Sequence, residues 1–159
     1  MVVILYNVRS LHNVGSIFRT ADAAGCEKIY LCGITPAPVD VFGKPRPQLT
    51  KVSLGAEKYV EWEKVKSASR LIDKLKKDKY KIFAVEQSKK SIPYSNIKRS
   101  SNLRVGRLVL VLGNEIKGLP APILKRADKI LEIPMKGEKE SLNVAVAFGI
   151  VIFHLNLVK

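Results

Sequence analysis

The stretch VVILYNVRSLHNVGSIFRTADAAGCEKIYLC, residues 2–32, determines the fold class because its hydrophobic pattern changes period twice. Its two ends, VVILY (2–6) and KIYLC (28–32), are short apolar runs of the kind that form buried strands. Between them, NVGSIFRTADAAG (13–25) repeats apolar residues at helical spacing and ends in a glycine that can terminate a helix. A strand, a helix and a second strand in this order predict an α/β fold with a mainly parallel sheet and flanking helices.

The rest of the chain continues the same alternation. Three more buried strands are predicted, at residues 81–86, 108–112 and 129–133. Helices are predicted to begin at Ser67, which can act as an N-cap, and at Pro120. The whole chain is therefore predicted to be one α/β domain without linker or internal repeat.

Three segments need separate interpretation. Gly33–Lys51 holds four of the eight prolines, so we predict a long loop without any periodic element. The polar connection before the strand at 108–112 is basic, with Lys89, Lys90, Lys98, Arg99, Arg104 and Arg107. The closing element contains the apolar run Val144–Phe153. Its β-branched content favours a strand, whereas the patterned length of the whole element, about 17 residues, favours a helix. We interpret it as the closing helix.

Composition limits the class of partner and compartment. The chain has 159 residues, of which 28 are Lys or Arg and 14 are Asp or Glu, so its net charge is +14 at pH 7. Such a bias indicates a polyanionic partner, most simply nucleic acid, although an anionic membrane surface also fits. No apolar run approaches the ~18 residues of a membrane span. Cys26 and Cys32 form no metal-binding pattern with His12 and His154, and we expect buried thiols in a cytoplasmic protein without a metal.

Unusual polar residues follow the first predicted strand. Asn13 on its own could be a helix N-cap, and Gly15 permits close backbone approach. Arg19 stands between Phe18 and Ala21 on an otherwise small and apolar helix. We therefore predict that Arg19 is partly buried and needs an anionic or carbonyl partner.

Two further loops carry polar residues at predicted strand ends. In LVLVLGNEIKGLP (108–120) a strand runs directly into Gly113 and Glu115, but glycine-rich turns of this kind are common and the spacing matches no P-loop or dinucleotide fingerprint. In the third loop, Ser141 is a reasonable N-cap for the closing helix, which would place Asn143 in its first turn. Each loop is ambiguous when taken alone.

Together, the three loops resemble the signature motifs of the SpoU (TrmH-like) branch of the SPOUT RNA methyltransferases. N-x-G-x-x-x-R-T-A-D-A-x-G corresponds to Asn13–Gly25, L-G-x-E-x-x-G to Leu112–Gly118, and I-P-M-x-G-x-x-x-S-L-N-V to Ile133–Val144. The shared order and spacing make the resemblance specific, and the motifs span most of the chain.

The resemblance implies both an activity and a topology. The activity is transfer of a methyl group from S-adenosylmethionine to a ribose 2′-hydroxyl of RNA, with tRNA favoured over rRNA because the chain resembles the minimal members, some of which methylate the tRNA wobble position. The topology is a single SPOUT domain over residues 1–159, acting as a homodimer, whose C-terminal part from about residue 80 forms a deep trefoil knot and the cofactor site. Without the resemblance, general fold rules exclude a knot.

The same resemblance assigns a cofactor site. The pocket for S-adenosylmethionine is expected to be lined by backbone and apolar groups near Val85, Gly113, Ile133 and Leu142, with Ser141 alongside. The reaction needs no metal, because a sulfonium donor reacts by in-line displacement.

Catalytic and RNA-binding roles also follow from the resemblance. Arg19 matches the family's essential arginine, but a guanidinium is a poor general base, so we expect it to bind a phosphate and stabilise the developing alkoxide. Asn143 and Glu115 are expected to orient the target ribose and hold the motif loops together. The predicted RNA contacts are Asn13, Arg19, Lys44, Arg46 and Lys51.

Two other functions remain open at this point. One is a non-catalytic basic RNA-binding module that has kept the fold, which would bind RNA without S-adenosylmethionine. The other is an unrelated nucleotide-using α/β enzyme, against which the absence of a P-loop and of a dinucleotide fingerprint counts.

Overall fold

The computed structural model describes residues 1–98 and 107–157 and contains one seven-stranded sheet in those residues. Every strand pairing in it is parallel, and the strand order is β3-β2-β1-β6-β4-β7-β5. The strands are β1 (Val2–Tyr6), β2 (Lys28–Cys32), β3 (Glu61–Val65), β4 (Lys81–Val85), β5 (Ile92–Pro93), β6 (Leu108–Leu112) and β7 (Lys129–Glu132). The prediction of a parallel α/β fold is confirmed.

Helices cover both faces of this sheet. They are α1 (Leu11–Ala23), α2 (Pro47–Ser53), α3 (Ala68–Lys77), α4 (Ala121–Leu124) and α5 (Val144–Leu157). Successive residues of a strand point to opposite faces, so the buried strands supply two separate cores. One core lies under α1, α2 and α5 around Phe18 and Phe148, and the other lies under α3 and α4 around Ile72 and Ile123.

Two helix starts differ from the prediction, and both differences concern capping. Helix α1 begins at Leu11, and the hydroxyl of Ser10 accepts a hydrogen bond from the backbone N–H of Asn13 at 3.2 Å. Asn13 is therefore inside the first turn and is not the cap. Helix α5 begins at Val144, and Asn143, not Ser141, caps it by accepting from the N–H of Ala145 at 2.9 Å. Asn143, predicted to lie in the first turn of this helix, is its N-cap.

The proline-rich segment is only partly a loop. Helix α2 begins at Pro47, inside the region predicted to lack periodic elements. Proline is favoured at the first helical position, where its fixed φ suits the helix and its missing N–H has no partner to lose. The irregular part ends at Arg46.

Two edge strands were missed. Strand β3 has the sequence EWEKV, whose charges conceal its extended structure. Its glutamates are paired across the edge, because the ammonium of Lys28 on β2 lies 2.7 Å from Glu61 and 2.9 Å from Glu63. Charged residues are normal on an edge strand, where they discourage further strand pairing. Strand β5 has only two residues, one of them proline.

Helix α1 packs closely on α2. A Cβ atom on Gly15 would lie 2.6 Å from the backbone oxygen of Leu49, so only glycine allows the two helices this separation. The predicted close approach at Gly15 is confirmed, and the group that approaches is a neighbouring helix rather than a ligand.

Several predictions about the chain are only partly addressed by the fold. Both cysteines are buried as predicted, and burial raises the pKa of the Cys32 thiol to about 12. No helix in the described part of the chain is long and apolar enough to cross a membrane. Arg99 and Arg104 of the predicted basic connection lie outside the described residues. The trefoil knot and the single domain over 1–159 stay predictions.

Candidate active site at the carboxyl edge of the sheet

The three sequence motifs meet at one edge of the sheet. Because all paired strands are parallel, their carboxyl ends lie at the same edge, where ligands bind in open α/β folds. The loops that follow β1 and β6, which are neighbours in the sheet, bring the first and second motifs together. The loop after β7 brings in the third.

Glu115 is the centre of this meeting point. Its carboxylate accepts hydrogen bonds from the backbone N–H groups of Arg9 and Ser10 and from the side-chain amide of Asn13, each at 3.1 Å. Partial burial raises the pKa of Glu115, but these hydrogen bonds outweigh it and hold the pKa below its usual value. A carboxylate held ionised by three donors fixes loops in place and is poorly suited to accept a proton.

Asn13 and Asn143 extend this arrangement to the third motif. The amide of Asn143 donates to the side-chain oxygen of Asn13 at 3.0 Å. Asn13 is 8% exposed, and it thus connects Glu115 on one side to the N-cap of α5 on the other. The predicted role of Glu115 and Asn143 in joining the motif loops is supported by this chain of hydrogen bonds. The carboxamide of Asn13 is hydrogen-bonded to Glu115 and Asn143 within the chain. Contact of Asn13 with RNA stays a prediction.

A cavity of about 150 Å³ lies beside this network, between the ends of β4 and β7 and the segment leading into α5. Four of the five residues predicted to bind the cofactor line it: Val85, Ile133, Ser141 and Leu142. The fifth, Gly113, does not line this cavity. Gly113 is buried at the base of the turn that leads to Gly118, and there its backbone packs against that turn.

Glu86 is a site residue that sequence reasoning missed. It lines the same cavity, and its carboxylate accepts from the N–H of Leu119 at 2.7 Å and of Gln87 at 2.9 Å. The neighbouring Gly118 has φ +61°, and a Cβ atom there would lie 2.1 Å from Glu86 Oε2, which explains the second glycine of the L-G-x-E-x-x-G motif. The available signal was an acidic residue directly after a buried strand.

Arg19 does not occupy the predicted environment. It is exposed on α1, and within the described residues its side chain makes no hydrogen bond or ion pair. The expectation of partial burial was wrong because Phe18 and Ala21 face the core while Arg19 faces outward. Its guanidinium is available to a ligand or to another chain.

The predicted RNA contacts after β2 lie on the surface. Lys44 and Lys51 are exposed, and Arg46 is half-buried, with its Nε donating to the carbonyl of Val39 at 3.3 Å. None of them contacts the hydrogen-bond network around Glu115. Among residues 1–98 and 107–157, no group of three or more His, Cys, Asp or Glu side chains could hold a metal ion.

Known proteins share both the sequence and this fold. The chain is 32% identical over 153 residues to the tRNA (guanosine(18)-2′-O)-methyltransferase of Aquifex aeolicus, covering 96% of this chain and 67% of that one. Its structure superposes on an AdoMet-bound rRNA methyltransferase from Sinorhizobium meliloti with a TM-score of 0.80 at 29% identity, covering 97% of this chain and 54% of that one.

A further solved structure matches over nearly its full length. It concerns 2-OH methylation of C/U34 on tRNA, and it shares 26% identity and a TM-score of 0.78, covering 97% of this chain and 92% of that one. The chain otherwise spans about two thirds or less of the length of the curated relatives it matches.

The model of the SpoU rRNA Methylase family matches residues 1–153, which include all three motifs and the residues that build the Glu115 network and the adjacent cavity. The resemblance inferred from those motifs is thereby confirmed, and the chain belongs to the SpoU rRNA Methylase family.

Proposed function

We propose that this protein is an S-adenosylmethionine-dependent RNA methyltransferase that acts on a ribose 2′-hydroxyl. The observation that carries the proposal is the hydrogen-bonded chain Glu115–Asn13–Asn143, which joins all three family motifs beside a cavity. The activities of the similar proteins, tRNA and 23S rRNA 2′-O-methylation, agree with it.

The cavity fits part of the cofactor. Its apolar walls, including Val85, Ile133 and Leu142, suit an adenine ring, and Ser141 and the carboxylate of Glu132 offer partners for hydroxyl or ammonium groups. A cavity of about 150 Å³ holds one ring-sized group. The rest of a nucleoside cofactor would extend along residues 134–143, most of which are exposed.

The chain's own residues supply positioning and electrostatics. S-adenosylmethionine, when bound, supplies a methyl group on a positively charged sulfur. The ribose 2′-oxygen would accept this methyl group by in-line displacement of the sulfur, and the hydroxyl proton would pass to a phosphate oxygen of the RNA. Arg19 binds a phosphate and stabilises the developing negative charge on the 2′-oxygen, because a guanidinium is a poor general base. Glu115 acts by holding Asn13 and the loop at Arg9 in position.

Transfer RNA is the proposed substrate and a homodimer the proposed assembly. The near full-length match to the structure concerned with C/U34 methylation favours tRNA.

Helix α5 presents an apolar face to solvent, with Val146 51%, Phe153 46% and Leu157 84% exposed, and this face suits a second copy of the chain. Light scattering should show a dimer, and Phe153→Glu should shift it toward monomer while Tyr59→Glu, at another exposed site, should not. A cytoplasmic location stays a prediction.

Two measurements test the proposed function. Isothermal titration should show binding of S-adenosylmethionine, and mapping of 2′-O-methyl sites in tRNA and rRNA, with and without the protein, should show a methylated ribose. Binding of RNA without any binding of the cofactor would contradict the proposal and favour a non-catalytic RNA-binding module. Cofactor binding with no ribose methylated in any RNA would contradict the assigned acceptor.

A further inference from the structure

A second cavity lies at the same edge of the sheet, at the ends of β1 and β6. It encloses about 290 Å³, close to the lower end of the ~300–1,000 Å³ of small-molecule sites. It shares no lining residue with the first cavity. The hydrogen bond from Leu119 to Glu86 connects the two walls, because Glu86 lines the first cavity and Gly118, beside Leu119, lines the second.

Hydrogen bonds between loops give this second cavity fixed walls. Asn7, in the left-handed region at φ 54°, accepts from the N–H of Ile34 at 3.0 Å. Asn114 donates to the carbonyl of Asn7 at 2.8 Å and accepts from the N–H groups of Ile116 and Lys117 at 2.9 and 2.8 Å. Asparagine is one of the few non-glycine residues that adopt this conformation readily. The loops after β1, β2 and β6 are therefore joined to one another by hydrogen bonds.

The walls combine exposed apolar surface with positive charge. Ile34 is 63% exposed and Ile116 is 84% exposed, so two large aliphatic side chains face solvent at the mouth of the cavity. Arg9 and Lys117 also line it, and in the described part of the chain neither side chain has a hydrogen bond or ion pair. None of the lining residues is acidic. Exposed apolar surface beside cations suits a nucleobase attached to a phosphate.

We infer that this cavity receives the base of the nucleotide whose ribose is methylated, unstacked from its neighbours in the RNA. The inference rests on the proposed function. Arg9 supports this placement because its side chain lines the cavity while its backbone N–H binds Glu115, the residue that connects through Asn13 to Asn143 beside the cofactor cavity. A ribose over this network lies between a base in the second cavity and the first cavity. Specific RNA recognition commonly uses splayed, single-stranded bases held in this way.

The test begins with the wild-type protein and an RNA whose methylated nucleotide has been mapped. Ile116→Trp should fill the mouth of the cavity and lower kcat/KM for this RNA by about tenfold or more, because displacement of the ribose disturbs an in-line reaction. Lys117→Ala should raise KM. Affinity for S-adenosylmethionine should stay within about twofold of wild type for both, because the cavities share no lining residue. Leu54→Trp and Lys77→Ala, at exposed sites elsewhere, are the matched controls.

A second substrate distinguishes base binding from other effects of these substitutions. An RNA with an abasic residue at the target position should be a poor substrate for the wild-type protein, and Ile116→Trp should lose little more on it. If removal of the base lowered the activity of Ile116→Trp as much as that of the wild type, the inference would be wrong while the proposed function stood. The same would hold if neither cavity variant affected methylation. Conversion of a wild-type dimer to a monomer by Ile116→Trp would instead identify the cavity as a subunit interface and overturn the inference. Failure of the wild-type protein to methylate any RNA would overturn both.

Discussion

Glu115 is the residue on which the geometry of the site depends most. It is a side chain near the surface, yet it fixes the loop at Arg9 and Ser10 and the amide of Asn13. We expect Glu115→Gln to replace one acceptor oxygen by a donor facing these N–H groups, lowering the free energy of unfolding by about 1 kcal/mol. Methylation should fall by at least about tenfold through misplacement of the loops. The measurements are urea denaturation and turnover with RNA.

The pH dependence of stability in wild type and Glu115→Gln tests whether the ionised carboxylate causes this difference. Because folding lowers the pKa of Glu115 from its ordinary 4.5, its stabilising effect is complete above that value and is lost as the pH falls through the lowered pKa. The stability difference between wild type and Glu115→Gln should therefore be largest at neutral pH and shrink in acid. Glu63→Gln, at the sheet edge, is the control and should leave methylation unchanged. A difference that grew in acid would contradict the assigned hydrogen bonds.

Arg19 allows stability and catalysis to be separated, because its side chain is exposed. We expect Arg19→Lys to leave the melting temperature unchanged and to lower kcat by about tenfold or more, since an ammonium does not reproduce bidentate guanidinium contacts. Arg70→Lys, a matched substitution on exposed α3, should change neither quantity. Near-normal turnover by Arg19→Lys would show that the geometry of the guanidinium is not required.

At the scale of the elements, two helical glycines should respond in opposite ways to alanine. In α1, a Cβ on Gly15 would lie 2.6 Å from the Leu49 carbonyl, so overpacking should exceed the gain in helix propensity and cost about 1–2 kcal/mol net. In α5, a Cβ on Gly149 would meet Thr20 Cγ2 at 3.9 Å, an ordinary contact, so alanine should stabilise by up to about 1 kcal/mol. Thermal or urea unfolding of both variants checks the contrast, and equal signs would contradict it.

The pattern of apolar residues along the sequence predicted the strands and helices that are buried in the core. The buried strands β1, β4 and β6 follow from continuous apolar runs, and helices α1 and α3 follow from apolar stripes at helical spacing. Helix α5 follows from the length of its apolar segment. Strand β3 was missed because an exposed edge strand tolerates charge. Helix α2 was missed because proline density indicates a loop unless the proline stands at the first helical position.

The sequence predicted which segments form the site, but it did not predict all of the contacts that their side chains make. Parallel strands bring the ends of distant segments to one edge, which is why loops around Asn13, Glu115 and Asn143 could be expected to meet. Local sequence could not decide which polar residue caps α5, because that depends on the exact start of the helix. The outward direction of Arg19 does follow from the sequence, since Ile17, Phe18 and Ala21 mark the buried face of α1. Glu86 was missed because a single acidic residue after a strand has many ordinary explanations.

At the scale of the whole molecule, charge is the dominant property. The net charge of +14 favours association with RNA from a distance. Long-range attraction depends on the total charge, whereas bound counterions are released only where phosphates contact cations directly. The salt dependence of affinity therefore distinguishes lysines that touch RNA from lysines that only contribute to the field.

The exposed lysines Lys44 and Lys51 provide this test. If both contact phosphates, the double substitution Lys44→Ala/Lys51→Ala should reduce the slope of log affinity against log salt by about 1 for each contact. Lys74→Ala/Lys77→Ala on α3 removes the same charge from another exposed surface. If these lysines contact no phosphate, the substitution releases no fewer counterions on binding and should leave the slope close to wild type. Fluorescence anisotropy with labelled tRNA over a range of salt concentrations measures both. Equal slope changes in the two pairs would mean that the loop containing Lys44 is no more a binding surface than α3.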